Sequence, residues 1–308
     1  TNNGTHWKID PRARDVVSSV GNGIIVDNSY SWTPFTPPPW NEMVLYEMHI
    51  GTFYDAPGGP PGTWQLAMSK LDHLQALGIN AVQIMPVAEF PNEYSLGYNP
   101  CNLFAPESAY GSPNSMRNFI DACHQRGIAV LLDVVYNHMG PSDLQYSVWK
   151  FDGFSTYWDT GGIYFYEDEK RSTPWGSRLN FSTGQVRSFI RDNAMYWLTE
   201  FNMDGLRWDG TAYIRQWEDE YYNPYDIPEG WSLMQWINDE INAAFPQKIS
   251  IAEDMRDNEW ITKTTGAGGA GFDSQWDAGF HHKVVAALET PSDGDRNMWE
   301  VREAITHL

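Results

Sequence analysis

Cysteine is nearly absent: Cys101 and Cys123 are the only two in 308 residues. Two thiols cannot build a disulfide framework, and no Cys-x-x-Cys or Cys/His spacing suited to zinc occurs. Cys123 lies in the apolar face of a helical pattern, where a core thiol is expected. Long hydrophobic runs are missing too, since none approaches the ~20 residues that span a bilayer. Basic residues are scarce, with twenty Lys plus Arg against forty Asp plus Glu, for a net charge of -20. Such a surface repels phosphate backbones and anionic lipid heads, so neither nucleic acid nor a membrane surface is an expected partner. A neutral ligand such as a carbohydrate is compatible. What is plentiful is apolar and aromatic surface, 42% and 15% of residues, enough for one large α/β domain or two smaller ones.

Residues 1–43 hold a proline cluster, SWTPFTPPPW, and little periodicity, which predicts an extended connector. From residue 44 a regular alternation begins. VLYEMHI (44–50), INAVQIMPV (79–87), IAVLLDVVYNH (128–138), MDGLRWDG (203–210), ISIAED (249–254) and GFDSQWD (271–277) read as strands. Between and after them, 63–78, 115–127, 185–201, 231–245 and 281–289 carry helical spacing, two of them stopped by Gly78 and Gly127. Nearly continuous apolar strands alternating with helices predict a parallel sheet covered by helices.

A doubly wound open sheet and a (β/α)8 TIM barrel both fit this pattern. Charged residues gather at several different strand ends, which favours the barrel, because an open sheet concentrates its site at one switch point. Six β/α units are legible rather than eight, with residues 139–182 forming a long loop insertion after strand 3. A six-stranded arc has two raw edges, so the expected fold is a barrel truncated after about six units. The missing C-terminal segment would complete it.

Asp133, Asn137 and His138 end the third strand, Arg207 and Asp209 lie on the fourth, and Glu253 and Asp254 end the fifth. Arg207 and Asp209 share one face of their strand. Such a pair is often only a structural ion pair, and a strand-end carboxylate often only caps the next helix. Their co-occurrence at three successive strand ends points further. In a barrel these ends converge, so Asp209 and Glu253 can face each other, which suits glycoside hydrolysis: one carboxylate attacks the anomeric carbon and the other, protonated, donates to the leaving oxygen. The charge of Asp209 is expected to raise the pKa of Glu253 and hold it protonated.

DVVYNH (133–138), GLRWDG (205–210) and IAED (251–254) resemble, in order, three motifs of the α-amylase superfamily, the retaining glycoside hydrolases of family 13. YEMHIGTF (46–53), LGYNPCNLFAPESAYGSP (96–113) and GFDSQWDAGFHH (271–282) are similar to its glucan branching enzymes and maltooligosyltrehalose trehalohydrolases. The resemblance implies an enzyme acting on α-1,4-glucans, by transfer or by hydrolysis, with α-glucan as its partner. It makes Asp209 the nucleophile and Glu253 the general acid/base, with Tyr98, His138 and Arg207 at the substrate and Asp133 and Asn137 in support. It also makes residues 1–43 the join from an N-terminal β-sandwich module to a barrel over 44–308. In calcium-dependent amylases the asparagine matching Asn137 binds the metal, whereas branching enzymes generally lack that ion, so no metal or other cofactor is expected.

The superfamily's fourth region, a His-Asp pair that supplies a third carboxylate, has no counterpart here. Asp273 and Asp277 do not replace it, and this chain alone is expected to be nearly inactive or to be a glucan-binding barrel. Trp208 and Gly210 stand where smaller apolar residues and alanine are more usual. The best aromatic candidates for stacking on sugar lie in the insertion: Trp149, Tyr157, Trp158, Tyr164 and Tyr166. GAGGAG (266–271) precedes a strand, so it reads as a loop and not as a dinucleotide site.

Overall fold

The structure is a computed structural model and describes residues 7–151 and 161–306. Six strands form one parallel sheet in sequential order: β1 (Leu45–Met48), β2 (Ala81–Ile84), β3 (Ala129–Val134), β4 (Gly205–Trp208), β5 (Ile249–Ala252) and β6 (Ser274–Gln275). The sheet is curled into a half-barrel, consistent with the truncated (β/α)8 barrel expected from the sequence. Strands β2 to β5 are buried at every position. The outer face gives Val82, Ile84, Val130, Leu132, Leu206 and Trp208 to the main core under the helices. The inner face gives Ala81, Ala129, Leu131, Ile249 and Ile251 to a smaller one, against which Phe35, Met43 and Trp276 pack. A strand buried on both faces has no polar alternation to show, which is why these strands read as continuous apolar runs.

The crossover helices are α1 (Trp64–Met68), α2 (Leu71–Ala76), α3 (Pro113–His124), α4 (Gly184–Glu200) and α5 (Pro228–Ala244); α6 (Ala278–Glu289) and α7 (Met298–Thr306) follow β6. The single helix predicted over 63–78 is broken in two. Ser69 Oγ donates to the Leu66 carbonyl at 2.6 Å, the kind of local side-chain bond that competes with the helix ladder. Caps elsewhere match their residue types: the Ser112 side chain accepts from Ser115 N with Pro113 following, and the Asp277 side chain accepts from Phe280 N.

Register sets the site. Asp133 pairs with Arg207 and Arg207 with Ile251 across neighbouring parallel strands, so their side chains share the inner face. Gly205 permits the β4–β5 approach, because a Cβ there would lie 2.5 Å from the Ile249 carbonyl oxygen. Two antiparallel hairpins that the sequence pattern did not reveal sit on the loops: Ala88–Glu89 with Asn102–Pro106 after β2, and Gln216–Glu218 with Pro224–Asp226 after β4. Residues 7–43 are mostly without regular structure and lie along α3 and α4, held by Arg12–Asp192 (2.7 Å), Arg14–Glu200 and the bond from Thr33 N to Asp121 (2.7 Å).

Trp208 answers the substitution noted at its position. It is fully buried and meets Tyr136 and Phe272 edge-to-face at 4.9 and 5.5 Å, filling the space between the sheet and the helices. GAGGAG folds as a loop before β6, and its Gly268, Gly269 and Ala270 carbonyls accept from Trp231, Gln235 and Asn238 of α5. Both cysteines are free and buried.

Candidate active site

The loops that follow β2, β3, β4 and β5 converge at one end of the sheet around a cleft of about 610 Å³. Its floor is one guanidinium. Arg207 Nη1 lies 2.8 Å from both oxygens of Asp133 and 3.0 Å from Asp209 Oδ1, while Nη2 lies 3.1 Å from Glu253 Oε2. Its carbon sits 4.4 Å from the Trp276 ring centre. The backbone holds these ends together, with Asp209 N donating to the Val134 carbonyl and Glu253 N to that of Trp208.

Tyr98, Asp133, Asn137, His138, Arg207, Asp209 and Glu253, expected from the sequence to share one site, meet here. Tyr98 Oη donates to Asp133 Oδ2 at 2.8 Å. Asn137 Nδ2 donates to the Asp209 carbonyl and to Oδ2, both at 2.8 Å, so each carboxylate oxygen of Asp209 has a fixed donor. His138 contacts Asn137 Oδ1 through Nδ1 and lies 2.8 Å from the Tyr98 carbonyl through Nε2. Gly210 N donates to Glu253 Oε2 at 2.9 Å. Gly210 has φ +52°, and a Cβ there would lie 2.9 Å from Asn137 Nδ2, so glycine leaves the asparagine free to reach Asp209. Asp254 turns away into a buried bidentate pair with Arg215 at 2.7 and 2.8 Å. Asp273 accepts from Ser250 N at 2.7 Å and Asp277 caps α6, so both serve the framework.

Exposure separates the three carboxylates. The Asp133 side chain is 0% exposed, Asp209 14% and Glu253 25%, so only the last two can touch a ligand. One cation faces three acids, and a low-dielectric site with that imbalance retains protons. Burial pushes Asp133 up to about 8 against the pull of Arg207. Glu253 is also raised, chiefly by burial, with Arg207 opposing and the charge of Asp209 a lesser contribution. The expected upward push from Asp209 is present, and desolvation is larger. Burial lowers His138, and a neutral imidazole donates to only one of the two acceptors that its nitrogens face.

The aromatic lining differs from the expectation. Trp149 and Tyr164 pack against the main core and Tyr166 is buried in it, so none of the three lines the cleft; Tyr157 and Trp158 lie outside the described residues. Trp175 and Tyr213 form the aromatic wall instead, edge-to-face at 4.8 Å. Gly176 lets the insertion loop approach closely enough to present Trp175, since a Cβ there would be 1.9 Å from the Met139 carbonyl oxygen. Tyr213 is the third residue of the short helix Thr211–Arg215, which opens just after Asp209 and Gly210. Glu47 from β1 also faces the cleft. The oxygen of Asn137 is taken by His138, and among the described residues no group of three or more His, Cys, Asp or Glu could hold a metal ion.

Two accessible carboxylates, one with its pKa raised chiefly by burial and one held by fixed donors, can together attack an acetal carbon and protonate its leaving oxygen. The model for the alpha amylase catalytic domain matches residues 48–160. A malto-oligosyltrehalose trehalohydrolase from Saccharolobus solfataricus is 34% identical over 82% of this chain and 40% of its own length. A 1,4-alpha-glucan branching enzyme from Methylococcus capsulatus is 31% identical over 92% of this chain and 40% of its own. The crystal structure of a candidate alpha amylase from Salmonella typhimurium superposes with a TM-score of 0.72 at 30% identity, covering 92% of this chain and 45% of that one. The chain thus spans about 40% of the length of these curated relatives.

Proposed function

The chain belongs to the α-amylase superfamily, glycoside hydrolase family 13, and from that premise we propose that it acts on α-1,4-glucans by a retaining double displacement, in the manner of a branching enzyme. The contact of one guanidinium with Asp133, Asp209 and Glu253 at the mouth of the half-barrel is the observation that carries this reading. Asp209 attacks the anomeric carbon while Glu253 gives its proton to the leaving glycosidic oxygen. The departing chain leaves a glycosyl ester on Asp209. Glu253, now ionised, takes a proton from the acceptor hydroxyl as that oxygen displaces Asp209.

Arg207 and Asn137 hold Asp209 aimed, one at each oxygen. Asp133, with no exposed surface, acts by positioning Arg207 and Tyr98. Tyr98 and His138 meet the sugar in the cleaved subsite, and Trp175 offers it an apolar face.

Acceptor identity divides the activities. Water makes a hydrolase, the second reading, favoured by the trehalohydrolase relatives; a glucan 6-hydroxyl makes a branching enzyme, favoured by the longer match to those enzymes. The protein incubated with amylose decides it. A change in iodine–glucan absorption without growth of reducing ends supports branching, and rapid growth of reducing ends supports hydrolysis. Asp209→Asn should abolish either; an unchanged rate in that variant overturns the mechanism.

A further inference from the structure

Arg178, in the insertion loop, is a buried cation that the reaction at the cleft does not use. It is 1% exposed, and its Nε has no hydrogen-bond partner among the described residues. Two acids whose charge reaches it, Asp168 and Glu218, pair instead with Lys170 and Arg256. A guanidinium held out of water in this way is costly, and burial pulls its pKa down to about 10. What it holds is backbone. Nη1 donates to the carbonyls of Tyr213 and Gln216, the second at 2.8 Å, and Nη2 donates to that of Ser172 at 3.1 Å. One planar fork thus joins the insertion loop, the short helix Thr211–Arg215 and the hairpin that opens at Gln216.

Both aromatic residues of the cleft wall hang from this junction. Trp175 sits on the turn 173–176, where Thr173 N donates to the Gly176 carbonyl at 2.9 Å and Thr173 Oγ1 accepts from Trp175 N at 3.2 Å. Ser172 precedes that turn and Arg178 follows it, so the Nη2 bond closes its base while Nη1 ties it to Tyr213. The Trp175 ring then meets Tyr213 edge-to-face at 4.8 Å and lies 5.7 Å from the ring of His138. Trp175 remains 49% exposed, so burial alone does not fix it and its placement depends on the turn. Asp209 takes its donors from Arg207 and Asn137 and none from Arg178.

We propose that Arg178 is a positioning residue for glucan binding: it clamps the Trp175 turn against Tyr213, so that the aromatic wall of the cleft is in place before the sugar arrives. The inference rests on the glucan reading of the cleft and assigns a role in it to a side chain that does not line the cleft. Its effect falls on binding and not on the chemical step.

Titration calorimetry with maltohexaose tests this. Arg178→Met removes the donors and should weaken binding about five- to tenfold, the worth of one aromatic stack. Arg178→Lys keeps the charge, loses the fork and should weaken it about two- to fivefold, which carries the test if the methionine variant does not fold. Trp175→Ala should match Arg178→Met, and the double variant should stay within about twofold of Trp175→Ala, because both changes remove one contact. Losses that multiply in the double variant overturn the proposal, as does unchanged affinity in both Arg178 variants. With amylose the change should fall on KM and leave kcat within about twofold; a fall in kcat at constant KM marks a merely destabilised fold and also overturns it. Hydrogen exchange reads the clamp without sugar: segments 172–178 and 211–217 should exchange faster in Arg178→Met while 113–124 does not, and no change in the first two overturns the clamp itself. If the unmodified protein binds no maltohexaose although those segments loosen in the variant, the glucan reading falls, and the binding role of Arg178 with it, while the clamp stands.

Discussion

Arg207 decides more of this site than either candidate catalytic carboxylate does. Its side chain is 3% exposed and holds three acids, so its removal leaves uncompensated buried charge, a defect that costs about 3–5 kcal/mol. Arg207→Leu should therefore destabilise the fold by that order, and pH sets how much. Without the cation the folded-state pKa values of Asp133 and Glu253, which Arg207 pulls down, move further up, so the folded form binds more protons than the unfolded one and stability is lost as pH rises. Thermal melts should show a larger penalty at about pH 8 than at about pH 5; an equal penalty at both would show that packing, not charge, is what Arg207 contributes. Asp133, Arg207, Asp209 and Glu253 were legible because charges on the inner face of otherwise apolar strands stand out against the pattern. Trp175 was not, since an aromatic in a polar loop looks the same whether it faces a cleft or the core.

At the scale of elements, the hairpin after β2 carries Tyr98 into the site and is itself built on two buried acids. Glu89 accepts from Ser108 N at 2.8 Å, and Glu107 from Ala109 N and Phe90 N at 2.9 and 3.2 Å. Burial, with the charge of Glu107, pushes Glu89 up to about 8 from its usual 4.5, and burial pushes Glu107 to about 7. Carboxyls raised in this way are protonated in the fold and ionised in the unfolded chain between those values. Their contribution is full below about 4.5 and is lost as pH climbs to about 8. Glu89→Gln keeps the shape and removes the titration, and the amide can donate to Ser108 Oγ, which lies 3.3 Å from Glu89 Oε1. The variant should gain about 1–3 kcal/mol over the parent at pH 8 and little at pH 5, measured by denaturant unfolding. A parallel pH dependence in both proteins would rule the pair out. This hairpin escaped the sequence reading because its first strand is two residues long, too short for any alternation to show.

For the whole molecule, a net charge of -20 sets self-repulsion against compactness, and salt screens it over a Debye length of about 10 Å at 0.1 M. Raising NaCl from about 0.05 to about 0.5 M should increase thermal stability while changing the affinity for a neutral maltooligosaccharide less than about twofold. A steep fall in that affinity would point to an anionic ligand instead. The sequence by itself determined the parallel α/β architecture, the six units, and the strand ends that bear charge, because period and burial leave local marks on the chain. Only the tertiary structure decided which charges meet: that Asp254 turns to Arg215 while Glu253 turns to Arg207, and that Trp175 rather than Tyr166 faces the cleft. Adjacent residues on a strand end point to opposite sides, and which side opens on the cleft depends on loops that return from far along the chain.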